Sequence, residues 1–159
     1  MIYFDAAATT FQKPPAVRRA VVRAMETMSS PGRGNYQSAA LAAETLYACR
    51  EEISALFGLE DPENVVFTSN ATHALNIAIH SLVPPGGRVV ISGYEHNAVT
   101  RPLHAIPNLR IHVVNTPLFD QTAMVQGFRE LVTEVTNAVI CTHVSNVFGY
   151  ILPVSEIAR

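Results

Sequence analysis

Three short polar stretches carry the side chains of this chain that could do chemistry: Ser69-Asn70-Ala71-Thr72, Glu95-His96-Asn97, and His143 with Ser145-Asn146. Behind the first stretch, Ala74, Leu75, Ala78, Ile79 and Leu82 recur at helical spacing, so Ser69 or Asn70 is placed to cap a helix. The first turn of such a helix presents free backbone N–H groups beside the hydroxyl of Thr72. Dipole and unpaired donors together make it a seat for a phosphate, although many helices begin with Ser or Asn and bind nothing. An imidazole such as His96 can stack on a flat ring or protonate it, and an amide such as Asn146 can hydrogen-bond a ring oxygen. The three together suit an aromatic phosphate ester. The competing readings are ordinary ones: a capped helix, a loop histidine among the six of the chain, or a metal site drawn from Glu95, His96, His104 and His143. No HExxH supports the metal, and GxxxxGKS/T, GxGxxG and GxSxG are absent as well.

The elements that must position these residues follow from periodicity and breakers. Tyr3-Phe4-Asp5 and the run Ala6 to Thr10 read as an extended arm. Pro14-Pro15 opens a helix with a stripe of Val17, Val21, Met25 and Met28. Ser29 to Gln37 is a loop by composition, with Arg33 on a flexible Gly-Arg-Gly backbone whose bland reading is a solvated charge. A long helix runs from Ser38 to Phe57, with Gly58 as its terminator and Leu46, Cys49, Ile53 and Phe57 on one face, so Cys49 reads as a small core residue. Strands are expected at Val65 to Phe67, Arg88 to Ile91, Ile111 to Val114 and Ala138 to Thr142. Helices fall between them, from about Asn97, with Pro102 inside or bending it, and over Met124 to Val135. A last helix begins at Ser155. Strands alternating with helices point to βαβ units and a mostly parallel sheet covered by helices. In such sheets ligands bind beyond the carboxyl ends of the strands, where all three polar stretches fall.

Composition narrows the class. The chain has 159 residues, 48% hydrophobic and 15% charged, which is enough for a substantial core. A net charge of −2 without basic clusters gives no footprint for nucleic acid or an anionic membrane. Cys49 and Cys141 lack CxxC spacing. MIYFDAAATT has no basic segment followed by an apolar core, and no apolar run is of membrane-spanning length, so a cytoplasmic location is expected. Lys13 is the only lysine.

Taken together, YFDAAATT with Lys13-Pro14, PGRGNYQSA at Pro31 to Ala39, VVFTSNATHALN at Val65 to Asn76, EHNAVTRPL at Glu95 to Leu103 and HVSNVFGYILPVSEIA at His143 to Ala158 make a pattern. The sequence resembles the cysteine desulfurases and related class V aminotransferases, which are pyridoxal-phosphate enzymes of fold type I. The resemblance runs along essentially the whole chain in the family's order. It implies an N-terminal arm, helix and loop over 1–37 and part of the cofactor-binding large domain over 38–159. It implies that Ala71 and Thr72 bind the phosphate of pyridoxal 5′-phosphate, that His96 stacks over the pyridine ring and relays a proton as the catalytic residue, and that Asn146 lies near the ring hydroxyl and substrate carboxylate. Arg33 and Asn35 fall in a loop that approaches the active site near a dimer interface in relatives. An amino-acid substrate such as cysteine, a homodimer in the complete protein and a sulfur-acceptor protein are the implied partners.

The sequence departs from the family pattern at Ala6, where Asn is usual, and at His73, where Glu is usual. The family's imine-forming lysine, the acid against the pyridine nitrogen and the sulfur-accepting cysteine match no residue of this chain; Lys13 belongs to the arm motif. The expected picture is the N-terminal portion of a longer enzyme that releases sulfur from L-cysteine to give L-alanine, inactive by itself. A class V aminotransferase, a selenocysteine lyase and a non-catalytic subunit of the same fold stay open beside it.

Overall fold

The structure, a computed structural model, describes residues 2–7 and 9–159. Ala8, within the expected arm, lies outside the described residues. The chain divides into two compact units, Met1–Phe67 and Thr68–Arg159.

The second unit is organised by β1, Arg88–Ser92, whose Val89, Val90 and Ile91 are all buried. β1 pairs in parallel with β2, Arg110–Val114, on one side and with β3, Ala138–Ile140, on the other, giving the order β2-β1-β3. The register aligns Val89 with both Ile111 and Ala138. An apolar run with no polar alternation is what a strand covered on both faces requires. On one face Val89 and Ile91 pack with Ile79 and Val83 from α3, Ala71–Leu82, and its C-terminal end, and with Val99, Leu103 and Ile106 from α4, Asn97–Ala105, and the residue after it. On the other face Val90 and Val114 pack with Met124 and Phe128 of α5, Gln121–Leu131, and with Tyr150 and Leu152. The expected parallel α/β architecture is thus present.

Local chemistry sets the helix boundaries. Asn70 accepts the His73 N–H at 2.9 Å and starts α3. Asp120 accepts the Ala123 N–H at 2.9 Å, so α5 begins three residues before the expected Met124 and ends at Leu131, leaving Val135 outside it and exposed. An Asx side chain that satisfies an orphan first-turn donor outweighs apolar spacing as a start signal. Pro102 sits inside α4 and is buried. β3 is shorter than the expected strand because the Thr142 N–H bonds a side chain rather than a neighbouring strand. A last short helix, α6, covers Val154–Ile157.

In the first unit, α1 is Pro15–Thr27, with proline at its first position where the missing N–H costs no bond. Its stripe of Val17, Val21 and Met25 is exposed, and no residue of α1 is buried. The long helix α2, Gln37–Phe57, ends at Gly58, whose φ of 66° lies in the left-handed region that glycine adopts without penalty. Its covered residues are Ala39, Ala42 and Ser54. Cys49 is exposed, which corrects the expectation that it packs in a core: the stripe it shares with Leu46 and Phe57 is not covered at those positions.

The expected strand at Val65 to Phe67 is also corrected. After the 3₁₀ turn Pro62–Asn64 the segment has no ladder partner among the described residues, and Val66 is 74% exposed. β-branched and aromatic residues report fitness for a pleated, half-covered surface, but a strand exists only where another strand completes its hydrogen bonds.

Two measurements test this packing. Leu103 is fully buried between α4 and β1, so Leu103→Ala should lower unfolding free energy by about 2–5 kcal/mol in urea titrations, without loss of helical circular dichroism beforehand. Cys141 is partly buried against the second cluster, and burial first, then the negative charge of Glu95, pushes its thiol up from 9.0 to about 12. The raised value favours the protonated form, and the thiolate is the reactive species. Iodoacetamide at pH 8 should therefore modify the exposed Cys49 well before the partly buried Cys141. Equal labelling of both in the native protein would contradict the packing described.

Candidate functional site

β1 and β3 run parallel, so the segments that follow them leave from the same rim of the sheet. Beyond Ser92 the chain turns at Gly93, whose N–H bonds the Val114 carbonyl at 2.9 Å. A Cβ on Gly93 would stand 2.7 Å from the Asn115 Oδ1 and 3.2 Å from the Val114 carbonyl oxygen, so a larger residue here would have to displace the Asn115 side chain. Two residues on, Glu95 Oε1 accepts the Ser92 hydroxyl at 2.5 Å and the Thr142 N–H at 2.6 Å. Both bonds end on one carboxylate oxygen and tie the exit of β1 to the exit of β3. Tyr94 strengthens the tie from the other face. Its ring meets Tyr150 edge-on at 5.3 Å and Phe148 at 6.2 Å, and its hydroxyl donates to the Thr116 carbonyl at 2.6 Å.

His96 comes next and caps α4. Its Nδ1 accepts the Ala98 N–H at 3.0 Å, and its carbonyl accepts from Val99 at 2.9 Å. A ring nitrogen that accepts an amide carries no hydrogen of its own, so the neutral imidazole holds its proton on Nε2. On α3, the Ala71 and Thr72 amides precede the first intrahelical bond and have no acceptor among the described residues. The Thr72 carbonyl receives the Asn76 side-chain amide at 2.8 Å. Ser69 and His73 occupy each other, Oγ to Nδ1 at 3.1 Å.

Between α3 and α4 lies a cavity of about 450 Å³, within the range of small-molecule sites, lined by Thr72, Asn76, His96, Asn97, Ala98, Arg101 and Pro102. Among the described residues no carboxylate lines it. Two helices begin at it, each with the positive end of its dipole there, and Arg101 adds a guanidinium. Hydroxyl, free amides, imidazole, two carboxamides and a cation make a donor-rich site fitted to an anion joined to a flat polar ring.

Of the residues singled out from the sequence, Thr72 and His96 line this one cavity, and Ala71 sits at the first position of α3 beside it. Asn146 lies in the loop after β3, on the rim that Glu95 holds, but is not among the cavity's lining residues; its side chain makes no hydrogen bond among the described residues. Ser145 in that loop is buried and structural: its Oγ accepts the Val147 and Phe148 amides at 3.4 and 3.3 Å. Arg33 and Asn35 are exposed in the loop between α1 and α2, in the other unit. Lys13, also in the first unit, donates to the Thr10 carbonyl. Among the described residues no three His, Cys, Asp or Glu side chains are arranged to hold a metal ion, and no helix is long and apolar enough to cross a membrane.

Sequence reasoning missed Arg101 and Asn76 as cavity residues. The signal was available at both: Asn76 stands one turn after Thr72 and Arg101 one turn after Asn97, each on the helix face its partner occupies. It missed the tying role of Glu95 as well, and nothing local in the sequence marks that role, because the acceptor lies 47 residues from its Thr142 donor.

Known proteins resemble this chain in sequence and fold. The family described as Aminotransferase class-V matches residues 2–159. A probable cysteine desulfurase of Mycolicibacterium paratuberculosis is 30% identical over all of the chain, which covers 24% of that relative. The crystal structure of the cysteine desulfurase CsdA from Escherichia coli superposes with a TM-score of 0.75 at 24% identity, over 97% of this chain and 40% of that one. A variant of C-DES, whose structure has glycine covalently linked to its PLP cofactor, superposes with a TM-score of 0.69 at 18% identity over 91% of this chain and 39% of that one. The chain thus spans between a quarter and about two fifths of the length of the curated relatives it first matches. With the family's pattern matched from residue 2 to residue 159 and the same α/β fold in its solved relatives, the chain belongs to the class-V aminotransferase family.

Proposed function

We propose that the chain carries the phosphate- and ring-binding part of a pyridoxal 5′-phosphate site in a cysteine desulfurase-like enzyme, one that releases sulfur from L-cysteine and leaves L-alanine. The observation that carries this is the single cavity bounded by both Thr72 and His96, with unpaired α3 amides and no carboxylate. The relatives' names support the choice of cysteine desulfurase over aminotransferase.

The residues fit the cofactor. Thr72 Oγ and the Ala71 and Thr72 amides would hold its phosphate, where the α3 dipole adds attraction without a glycine cradle. His96 would lie against the ring and direct Nε2–H into the cavity, since Nδ1 is held by the Ala98 amide. In that state it donates a hydrogen bond from Nε2; it could pass on that proton only after Nδ1 had gained one, which would cost the bond from Ala98. Pyridoxal phosphate, when bound, supplies an electron sink for bond cleavage next to an amino group. Asn146 would reach the ring hydroxyl or substrate carboxylate from the rim loop, and Arg33 and Asn35 would act near a dimer interface. The reactive lysine and the sulfur-accepting cysteine are assigned to no residue here, so turnover, homodimer formation and transfer to an acceptor protein are proposed for an enzyme that contains them. Residues 1–37 would form its arm, helix and loop, and residues 38–159 part of its large domain.

Titrating pyridoxal 5′-phosphate into the chain, followed by absorbance and by displacement with inorganic phosphate, tests the site. Removing a hydrogen bond to a charged group costs about 1.5–3 kcal/mol, so Thr72→Ala should weaken binding about 10- to 100-fold. His96→Ala should weaken the cofactor but leave inorganic phosphate affinity unchanged. Identical titrations of the unmodified chain and both variants would sink the assignment.

A further inference from the structure

We infer that Glu95 is a positioning residue for His96, and that it acts by the reach of its side chain rather than by its charge. This rests on the proposed role of His96 at the cavity. β3 ends at Ile140, and the Thr142 N–H beyond it is accepted by a side chain rather than by the backbone of β1. Glu95 Oε1 supplies that acceptor at 2.6 Å and also takes the Ser92 hydroxyl at 2.5 Å, where Ser92 is almost wholly buried. A single oxygen therefore bridges the last residue of β1 and the segment after β3. The residue after Glu95 is His96, and the geometry of its backbone decides whether Nδ1 meets the Ala98 amide.

This chain of contacts separates length from charge. Glutamine keeps an oxygen at the same distance from the backbone and can accept both bonds. Aspartate keeps the charge but is one methylene shorter and cannot bridge both donors from the same backbone position. If Glu95 works by span, glutamine replaces it and aspartate does not. The Ser92 and Thr142 donors then need a neutral acceptor no less than an ionised one, at a lower bond strength.

Long-range ¹⁵N–¹H spectra of the imidazoles read the effect directly and need no cofactor. In the unmodified chain His96 should give one neutral form protonated at Nε2. Glu95→Gln should retain that form. Glu95→Asp and Glu95→Ala should show both tautomers or an exchange-broadened ring, while His80 on α3 and His112 on β2 keep their signals. The inference is overturned if folded Glu95→Asp leaves the His96 ring unchanged, or if Glu95→Gln is as disturbed as Glu95→Ala. It is overturned equally if all histidines shift together or if both Glu95→Asp and Glu95→Ala unfold, since Glu95 would then support the fold at large. Loss of the proposed cofactor site would appear separately, as absent pyridoxal 5′-phosphate binding in a chain whose His96 still responds to the Glu95 series.

Discussion

The pairing of β1 with a parallel neighbour on each side is the constraint from which the rest follows. Because all three strands point the same way, the loops that leave β1 and β3 open on one rim, and whatever they carry is delivered to one side of the molecule. The same pairing demands an uninterrupted apolar sequence in β1, helices on both faces, and a way to end the ladder where β1 turns off. Glu95 meets the last demand. Its carboxylate stands in for a strand's carbonyl, and the residue beside it caps the next helix, so finishing the sheet and placing an imidazole are done by two adjacent side chains.

The cavity is built on helix starts rather than on a dedicated loop. α3 and α4 both begin at it, and each start is held by an acceptor from the chain itself: Asn70 for one and the ring of His96 for the other. A side chain that both caps a helix and borders a ligand cavity has little freedom in its protonation pattern. Positive dipole ends, Arg101 and an absence of acids set the sign of the ligand, and the polar hydrogens set its shape.

Much of this was legible in the residues. The α3 start was readable because Asn70 and the apolar spacing agree, and the α2 terminator because Gly58 follows the last apolar turn. The apolar runs at Arg88 to Ile91 and Ile111 to Val114 gave strands in nearly the right places. What was not legible depended on partners distant in sequence. Val65 to Phe67 has the composition of a strand but lacks the neighbour that would make it one. Cys49 has core-like spacing in a helix whose middle is uncovered. Apolar spacing points to Met124 for the start of α5, whereas Asp120, a local cap, sets it at Gln121. Thr72 and His96 were recognisable as residue types at helix starts; that they border the same space became visible only with α3 packed beside α4.

The order β2-β1-β3 also says something about how this unit comes into being. β1 is the first of the three strands to be synthesised, yet it holds the central place and gains its second neighbour only when Ala138 has been made. Pairing strands that are distant in sequence slows folding relative to purely local contacts. On a ribosome, β1 can pair with β2 once Val114 has been made, and β3 adds in a later step that brings Glu95 to Thr142.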